Sequence, residues 1–180
     1  MRAHADAATH YERALQLWDR VPDPAGAAGM SRAELFDRAA ASTHWSSHSS
    51  RATTLAKAAL DALGPDASPE TRAVQLIRLG GMYWTEYQGP AAVDAYHQAV
   101  ELLAGRPASW EQAYTLAAQG QSLMLRSMVT RSESALTQAI EVATAVDAVG
   151  VAGHASCSLG ASLIPAFRSE ERRVGKECRS

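Results

Sequence analysis

The sequence predicts an all-α fold, a right-handed α-solenoid of antiparallel helix pairs with repeats of about 40 residues. Two observations lead to this class. Apolar residues recur at helical spacing along most of the chain, and several sets of similar residues recur at a fixed interval of forty positions. With 180 residues, 47% of them hydrophobic, the chain is also long enough to bury a sizeable core.

The interval of forty residues is visible in four sets of positions. Two sets hold large apolar residues and two hold small residues. This is expected where equivalent faces of successive helix pairs pack in the same way. The sets are Phe36, Leu76 and Leu116; Leu60, Val100 and Ile140; Ala59, Ala99 and Ala139; and Ala40, Gly80, Gly120 and Gly160.

The glycines of the last set lead to a prediction about packing. A glycine inside a helix is about 1 kcal/mol less favourable than an alanine. Gly80, Gly120 and Gly160 are therefore expected at places where a neighbouring helix comes so close that a side chain would not fit.

The first predicted element is a helix from Ala5 to Arg20. Its apolar face carries Ala7, Tyr11, Ala14 and Leu15. This pattern is typical of the second helix of a pair, so we expect its first-helix partner to be missing. Tyr11 and Leu15 are then expected to form an exposed apolar seam, and Leu159 with Leu163 a second one at the other end.

The next pair of helices begins after a loop rich in proline and glycine, Val21–Gly29. Ser31 with Glu34 three residues later is the capping-box pattern that marks the start of a helix. The serine-rich turn Trp45–Ser50 then connects this helix to its partner, Arg51–Leu63.

The same layout returns further along the chain. Gly64 favours the end of one helix, and Ser68, which precedes a proline, favours the start of the next. Ser109 and Thr130 each have a Gln or Glu three residues later, so both are expected to begin helices. A last helix is expected to stop near Pro165, because proline interrupts helical hydrogen bonding.

The most complete pair spans Leu76–Val100 and is expected to turn at Gly89-Pro90. Its first helix carries Leu-Gly-x2-Tyr and its second carries Ala-x3-Tyr-x2-Ala. This spacing resembles the tetratricopeptide repeat, whose usual unit of about 34 residues is lengthened here in the loop between pairs. The matching residues are Leu79, Gly80, Tyr83, Ala92, Tyr96 and Ala99.

The repeat length and the local sequences LFDRAAASTHW and RATTLAKAALDALG resemble the repeat region of large actinobacterial LuxR-type transcriptional regulators. The resemblance covers residues 5–164. It implies a sensor or regulatory segment, with an ATPase module of the signal-transduction class and a helix-turn-helix domain elsewhere in a longer chain. Similar repeats also accompany nucleotide cyclases and kinases. This sequence has no G-x4-G-K-[ST] loop and no helix-turn-helix pattern, so neither ATP nor DNA binding is assigned to its residues.

The sequence predicts one repeat domain over residues 1–167, truncated at both ends, and a non-native tail over residues 168–180. The tail, RSEERRVGKECRS, is dense in charged residues and resembles the translation of a common sequencing adapter. We expect it to be disordered and exclude it from fold reasoning. Long-read resequencing of the locus would test this prediction.

Few residues suggest chemistry. His44 and His48 are four positions apart, but no cysteine or third ligand lies nearby, so no metal site is predicted. Cys157 has no general base in its sequence context and is expected to pack in the core. The sequence contains no catalytic constellation, so it predicts a non-enzymatic protein that needs no cofactor.

The composition narrows the classes of partner and location. The formal net charge is -2, which gives no bulk attraction to nucleic acid or to an anionic membrane. No apolar run approaches the roughly 20 residues of a membrane span. The N-terminal residues lack the apolar core of a secretory signal, so the sequence predicts a cytoplasmic protein.

Binding is expected in the concave groove lined by the first helices of the pairs. Trp84 is the expected anchor, because large amphipathic rings are common at the centre of recognition sites; the alternative is that it packs between repeats. Three functions stay open: a scaffold that holds a protein, a peptide or a small inducer; a structural spacer or self-association scaffold; and a repeat domain attached to a cyclase or kinase. The predicted groove residues are Asp37, Ala41, His44, Ile77, Gly81, Trp84, Ala117, Gln121 and Met124.

Overall fold

The computed structural model describes residues 2–46 and 49–177, with side chains for 3–46 and 50–164. His48 and the side chains of the predicted tail lie outside the described residues. Within that part of the chain every regular element is a helix, which confirms the all-α class. A 3-10 turn at Trp18–Arg20 follows the first helix. The helices are α1 (Arg2–Leu17), α2 (Pro24–Ala28), α3 (Arg32–Trp45), α4 (Ser49–Asp61), α5 (Pro69–Thr85), α6 (Gly89–Leu103), α7 (Trp110–Leu125), α8 (Val129–Ala145) and α9 (Val149–Glu177).

The chain divides into two compact units, Met1–Leu102 and Leu103–Ser180. Unit 1 contains the pairs α3–α4 and α5–α6, preceded by α1 and α2. Unit 2 contains the pair α7–α8 and the long helix α9. Within each unit, neighbouring helices such as α3 and α4 or α7 and α8 pack against each other through faces of alanine and leucine.

Three predicted helix starts are confirmed by side-chain caps. The hydroxyl groups of Ser31, Ser68 and Ser109 each accept a hydrogen bond of 3.1 to 3.2 Å from the backbone N–H three residues later. These bonds satisfy donors that a helix leaves unpaired at its first turn. The predicted cap at Thr130 is wrong by two residues, because α8 begins at Val129 and its N-cap position is Met128, whose side chain makes no capping hydrogen bond.

The turn of the central pair lies earlier than predicted. Helix α6 already begins at Gly89, so Pro90 lies in its first turn, where a missing N–H costs nothing. The chain reverses instead through Tyr87, whose φ of 59° is left-handed. Ser127, forty residues later, has a φ of 58° in the turn between α7 and α8.

The segment Val21–Gly29, predicted as a loop, contains the short helix α2. The carboxylate of Asp23 accepts a 3.0 Å hydrogen bond from the backbone N–H of Gly26. Pro24 fits the first helical position, and Gly29, with a φ of 64°, ends the helix. Proline and glycine, which suggested a loop here, instead stand at the start (Pro24) and at the end (Gly29) of a short helix.

The core of unit 1 lies between α3, α4 and α5. Tyr11 and Leu15 of α1 pack against this core and are half-buried, so the exposed seam predicted for them is wrong. A two-point ion pair from Arg51 to Glu12, with distances of 2.8 and 3.1 Å, connects α4 to α1. The buried core residues are Ala39, Ala40, Ala52, Leu55, Ala56, Leu79 and Met82.

The core of unit 2 lies between α7, α8 and α9. Leu159 packs against it, whereas Leu163 is 42% exposed, so the predicted seam is present only in part. Helix α9 continues through Pro165 to Glu177, although a stop was expected there; a proline removes one hydrogen bond and can bend a helix without ending it. The buried core residues are Ala113, Ala117, Leu136, Ala139, Ala143, Val151 and Ala155.

The predicted close approach at glycine is confirmed at two of three positions. A Cβ atom on Gly80 would lie 2.6 Å from the ring of Tyr96, and one on Gly120 would lie 2.6 Å from Cγ of Leu136. Both partners follow their glycine by sixteen residues. Gly160 is exposed, and outside its own helix backbone no described atom lies within 4 Å of a Cβ placed on it, so the prediction is wrong there.

Candidate functional site

The predicted groove residues of unit 1 lie on one stripe of α3 and α5, which we call the unit 1 stripe. Ala41 is exposed, and His44, Gly81 and Trp84 are half-buried. Ile77 is only 3% exposed, because it faces the interior of the unit. The part of this stripe that a partner could reach therefore includes Trp84 but excludes Ile77.

Asp37 links the two helices of the unit 1 stripe through an ion pair with Arg78. The Asp37 side chain is 14% exposed, whereas the Arg78 side chain is 43% exposed. Burial raises the pKa of the Asp37 carboxyl above its ordinary value, although the positive charge of Arg78 lowers it. A hydrogen bond from Gln75 also lowers this pKa. Asp37 thus serves mainly to join α3 to α5.

His44 lies in an aromatic cluster at the end of α3. Its ring meets the neighbouring Trp45 edge-on with centroids 5.3 Å apart, and Trp45 in turn approaches His4 of α1 at 6.4 Å. Trp45 is 64% exposed. No group of three or more His, Cys, Asp or Glu side chains that could hold a metal ion occurs among the described residues.

The predicted groove residues of unit 2 lie on α7. Gln121 and Met124 are half-buried and reach the surface, whereas Ala117 is 1% exposed and belongs to the core. Helical spacing extends this stripe two turns further toward the start of α7, first to Tyr114 and then to Trp110.

Trp110 and Tyr114 form a stacked aromatic pair that the sequence analysis missed. Their ring centroids are 5.0 Å apart and their planes differ by 14°. They are four residues apart on one helix, the spacing at which side chains of successive turns meet. Trp110 is 46% exposed and Tyr114 is half-buried. The signal was available, because Tyr114 is one helical turn before the predicted residue Ala117.

The stripe continues on α9, which packs against α7. His154, Cys157 and Ala161 are exposed, and Ile164 is 56% exposed. The prediction that Cys157 packs in the core is wrong: Val151 and Ala155 occupy the buried face of this helix, and Cys157 faces away from it. Each of these α9 residues lies forty positions after a residue of α7. Together the exposed and half-buried residues form the unit 2 stripe: Trp110, Tyr114, Gln121, Met124, His154, Cys157, Ala161 and Ile164.

The unit 2 stripe contains no Asp, Glu, Lys or Arg side chain. Residues Val149 to Ile164 include no Asp, Glu, Lys or Arg, and α7 includes only Glu111. The unit 1 stripe is different, because it contains the Asp37–Arg78 ion pair. The unit 2 stripe is therefore mostly aromatic and apolar, with Gln121 and His154 as its polar members, whereas the unit 1 stripe contains an ion pair.

Two of the open clefts are lined by described residues of unit 1. One, of about 470 Å³, lies between α1 and the α3–α4 pair and is lined by Thr43 and by the Glu12–Arg51 ion pair. The other, of about 370 Å³, is lined by Leu60 and Leu76 with more polar residues at its edge. Neither cleft is lined by a residue of the unit 1 stripe. Within the described part of the chain, no helix is long and apolar enough to cross a membrane.

Solved structures of helical-repeat proteins resemble this chain. BtubC (BKLC) from P. vanneervenii matches with a TM-score of 0.73 at 18% identity, covering 96% of this chain and 69% of that one. A putative kinesin light chain from P. anserina, with nearly identical TPR-like repeats, matches with a TM-score of 0.62 at 15% identity, covering 99% and 92%. These likenesses show the fold and confirm the predicted class, an α-solenoid of tetratricopeptide-like helix pairs. No family model and no curated protein sequence matches the chain.

Proposed function

We propose that this chain is a non-catalytic repeat scaffold that binds an uncharged, apolar peptide segment of a partner protein along the unit 2 stripe. The observation that carries the proposal is the stacked pair Trp110 and Tyr114 at one end of the unit 2 stripe, with half-buried Met124 and exposed Ile164 toward the other end. Aromatic side chains and methionine are enriched where protein partners meet, and charged residues are depleted at the centre of such interfaces.

The stacked pair is suited to anchor a partner. Two rings held 5.0 Å apart on one helix have little rotamer freedom left to lose when a ligand orders them. Met124 lies toward the other end of the stripe. Its flexible and polarizable side chain adapts to ligands of different shape. A rigid end and an adaptable end are a suitable combination for holding an extended apolar segment.

The unit 1 stripe carries a separate candidate anchor. Trp84 is half-buried on α5. An indole that reaches the surface offers both apolar contact and a hydrogen-bond donor. Trp84 therefore remains the anchor proposed for unit 1, while Tyr114 and Trp110 are the anchors proposed for unit 2.

The wider setting is also a proposal, and the sequence resemblance supports it. In a LuxR-type regulator, occupancy of the repeats would be communicated to an ATPase module and a helix-turn-helix domain on the same polypeptide. The sequence of the complete gene tests this directly. A complete reading frame that encodes neither a phosphate loop nor a helix-turn-helix would exclude the regulator.

The binding proposal is tested with a phage-displayed library of random 12-residue peptides, selected on the whole chain. We expect enriched peptides to be aromatic and aliphatic with few charges. Their binding should weaken about tenfold or more in Trp110→Ala and in Tyr114→Ala, as for anchors at other interfaces. Trp84→Ala separates the contribution of unit 1 from that of unit 2.

Val21→Ala provides the matched control, because Val21 is 38% exposed but lies outside both stripes. The same peptides should bind this variant and the unchanged chain equally well. Circular dichroism must show that each variant keeps its helix content. A library that yields no binders, or binders that ignore the two aromatic substitutions, would favour the structural spacer instead.

A further inference from the structure

The larger of the two unit 1 clefts, of about 470 Å³, is lined mainly by polar side chains. Its volume lies in the usual range for small-molecule sites, about 300–1,000 Å³. Helices α1, α3 and α4 all contribute to it, and none of its lining residues belongs to either stripe. We call this space the α1 cleft. Its charged and hydrogen-bonding lining includes Thr9, Glu12, Arg13, Gln16, Thr43 and Arg51.

The charged side chains of the α1 cleft leave one guanidinium without an opposite charge. Arg51 donates hydrogen bonds of 3.1 and 2.8 Å to the two carboxylate oxygens of Glu12. Arg13 has no carboxylate partner within the described part of the chain and donates one 3.3 Å hydrogen bond to the amide oxygen of Gln16. With one carboxylate and two guanidinium groups, the lining has a net charge of +1. Arg13 is therefore the group in this cleft that attracts an anion.

The threonine hydroxyls of the α1 cleft offer hydrogen-bond acceptors. Thr9 donates its own proton to the carbonyl oxygen of Ala5 at 3.0 Å, which leaves its Oγ1 atom able to accept a bond.

Thr43 gives an independent indication of a ligand. It is 3% exposed, and its Oγ1 atom has no hydrogen-bond partner among the described residues. A buried hydroxyl left unpaired is unfavourable. A helical threonine populates two χ1 rotamers, so this hydroxyl can turn toward a molecule held in the cleft that it lines. A ligand with hydroxyl groups would supply the partner that Thr43 lacks.

We propose that the α1 cleft binds a sugar acid, a short carbon chain with one carboxylate and several hydroxyl groups. The carboxylate would pair with Arg13, because a planar guanidinium matches the two oxygens of a carboxylate. A single negative charge balances the net charge of +1, whereas a phosphate group would bring about two. The hydroxyl groups of the ligand would donate to Thr9 and Thr43.

The polar lining favours a small molecule over a helix as the occupant of the α1 cleft. A packed helix would have to remove Glu12, Arg13 and Arg51 from water, and burying charged groups is costly. The cleft is also separate from both stripes, so this proposal and the proposed function can fail independently.

The test is isothermal titration calorimetry of the whole chain with sodium D-gluconate. Three probes separate the parts of the ligand. D-Sorbitol keeps the hydroxyl groups without the carboxylate, hexanoate keeps the carboxylate without the hydroxyl groups, and sulfate is a simple anion. We expect gluconate to bind, and each of the other three to bind about tenfold more weakly or less, because each loses charge-assisted or hydroxyl hydrogen bonds.

Two variants locate the binding. Arg13→Gln removes an exposed charge and should weaken gluconate binding about tenfold or more. Thr43→Val removes the hydroxyl but keeps the shape, and it should also weaken binding. Its melting temperature should be unchanged or higher, since the hydroxyl has no partner among the described residues, so unfolding would not explain the loss.

Arg131→Gln is the matched control. Arg131 is exposed on α8 in unit 2, so this variant changes the net charge of the chain as Arg13→Gln does and should leave gluconate binding unchanged. Absence of gluconate binding overturns the proposal. Equal binding of sorbitol, hexanoate or sulfate overturns it as well, and so does gluconate binding that survives either Arg13→Gln or Thr43→Val.

Discussion

The backbone of Gly120 lies so close to Leu136 that a Cβ atom built on the glycine would be 2.6 Å from Cγ of the leucine and 3.2 Å from its backbone nitrogen. Neither atom can move far, since Cγ is next to the main chain and the nitrogen is part of it. We therefore expect Gly120→Ala to lower the free energy of unfolding by about 1–3 kcal/mol, the usual cost of overpacking. Urea denaturation followed by circular dichroism measures this change.

Gly160→Ala is the matched control for Gly120→Ala. It occupies the same repeat position, but no described atom lies within 4 Å of the added carbon. Here we expect a gain of up to about 1 kcal/mol, because alanine favours the helix more than glycine does. The double variant Gly120→Ala with Leu136→Ala should lose less stability than the sum of the two single losses, because the smaller side chain at 136 leaves room for the added methyl group. The pair α3–α4 already has alanine at both equivalent positions, Ala40 and Ala56. Equal gains from both glycine variants would contradict close packing at Gly120.

The hydroxyl of Ser132 makes a hydrogen bond across the same helix pair, in addition to the close packing at Gly120. Its Oγ atom donates a 2.9 Å hydrogen bond to the backbone carbonyl of Gly120, and the serine is fully buried. Ser132→Ala should lower the free energy of unfolding by about 1 kcal/mol, the usual net value of one buried hydrogen bond. The exposed residue Ser134 provides the control, since Ser134→Ala should change stability by less than about 0.5 kcal/mol. Equal effects of the two serine variants would show that the buried bond adds nothing.

The raised pKa of Asp37 predicts a pH dependence with a definite sign. Burial disfavours its carboxylate, so the folded chain holds the Asp37 proton more tightly than the unfolded chain does. The contribution of Asp37 to stability therefore falls as the pH rises from the ordinary aspartate pKa through the raised one. Asp37→Asn should gain stability relative to the unchanged chain over that interval, and the gain should vanish at lower pH.

Carbon-detected NMR titration of the Asp37 carboxyl checks the cause. We expect its midpoint above the ordinary aspartate value, and Arg78→Met should raise it further by removing the opposing positive charge. A midpoint below the ordinary value would mean that the ion pair outweighs burial.

Regular features of the repeats were predictable from the sequence, and local exceptions were not. The interval of forty residues located Gly80 and Gly120, because close packing restricts which residues a position accepts. Serine caps were predictable for a similar reason, since few side chains can satisfy the first N–H groups of a helix. The turn at Tyr87 was missed because nothing in a tyrosine indicates a left-handed φ. Whether an apolar face is covered depends on its neighbours, so the exposure of Cys157 and Gly160 had no signal in the local sequence.

The exposure of Cys157 predicts that its thiol reacts in the folded chain. In a Cys178→Ser background, which leaves one cysteine, a maleimide reagent should modify one thiol per chain without denaturant. Because Cys157 lies on the unit 2 stripe, a bulky maleimide should also block peptides that depend on Tyr114. A thiol that reacts only after urea is added would place Cys157 in the core, as the sequence had suggested.

The left-handed turn at Tyr87 predicts that a glycine there is stabilising. Tyr87 has a φ of 59° and is 97% exposed, so its side chain contributes little packing while its Cβ makes this backbone conformation unfavourable. Tyr87→Gly should raise the free energy of unfolding by about 0.5–1 kcal/mol, after the greater freedom of glycine in the unfolded chain is allowed for. Tyr87→Ala is the control, because it removes the ring but keeps the unfavourable φ, and it should be close to neutral. The reverse change, Gly105→Ala, should be destabilising by about 1 kcal/mol. Gly105 has a φ of 71° and open space around it, so the added methyl group meets no neighbour and the loss comes from the unfavourable backbone conformation. Equal stability of Tyr87→Gly and Tyr87→Ala would show that the turn between α5 and α6 accepts a side chain without strain.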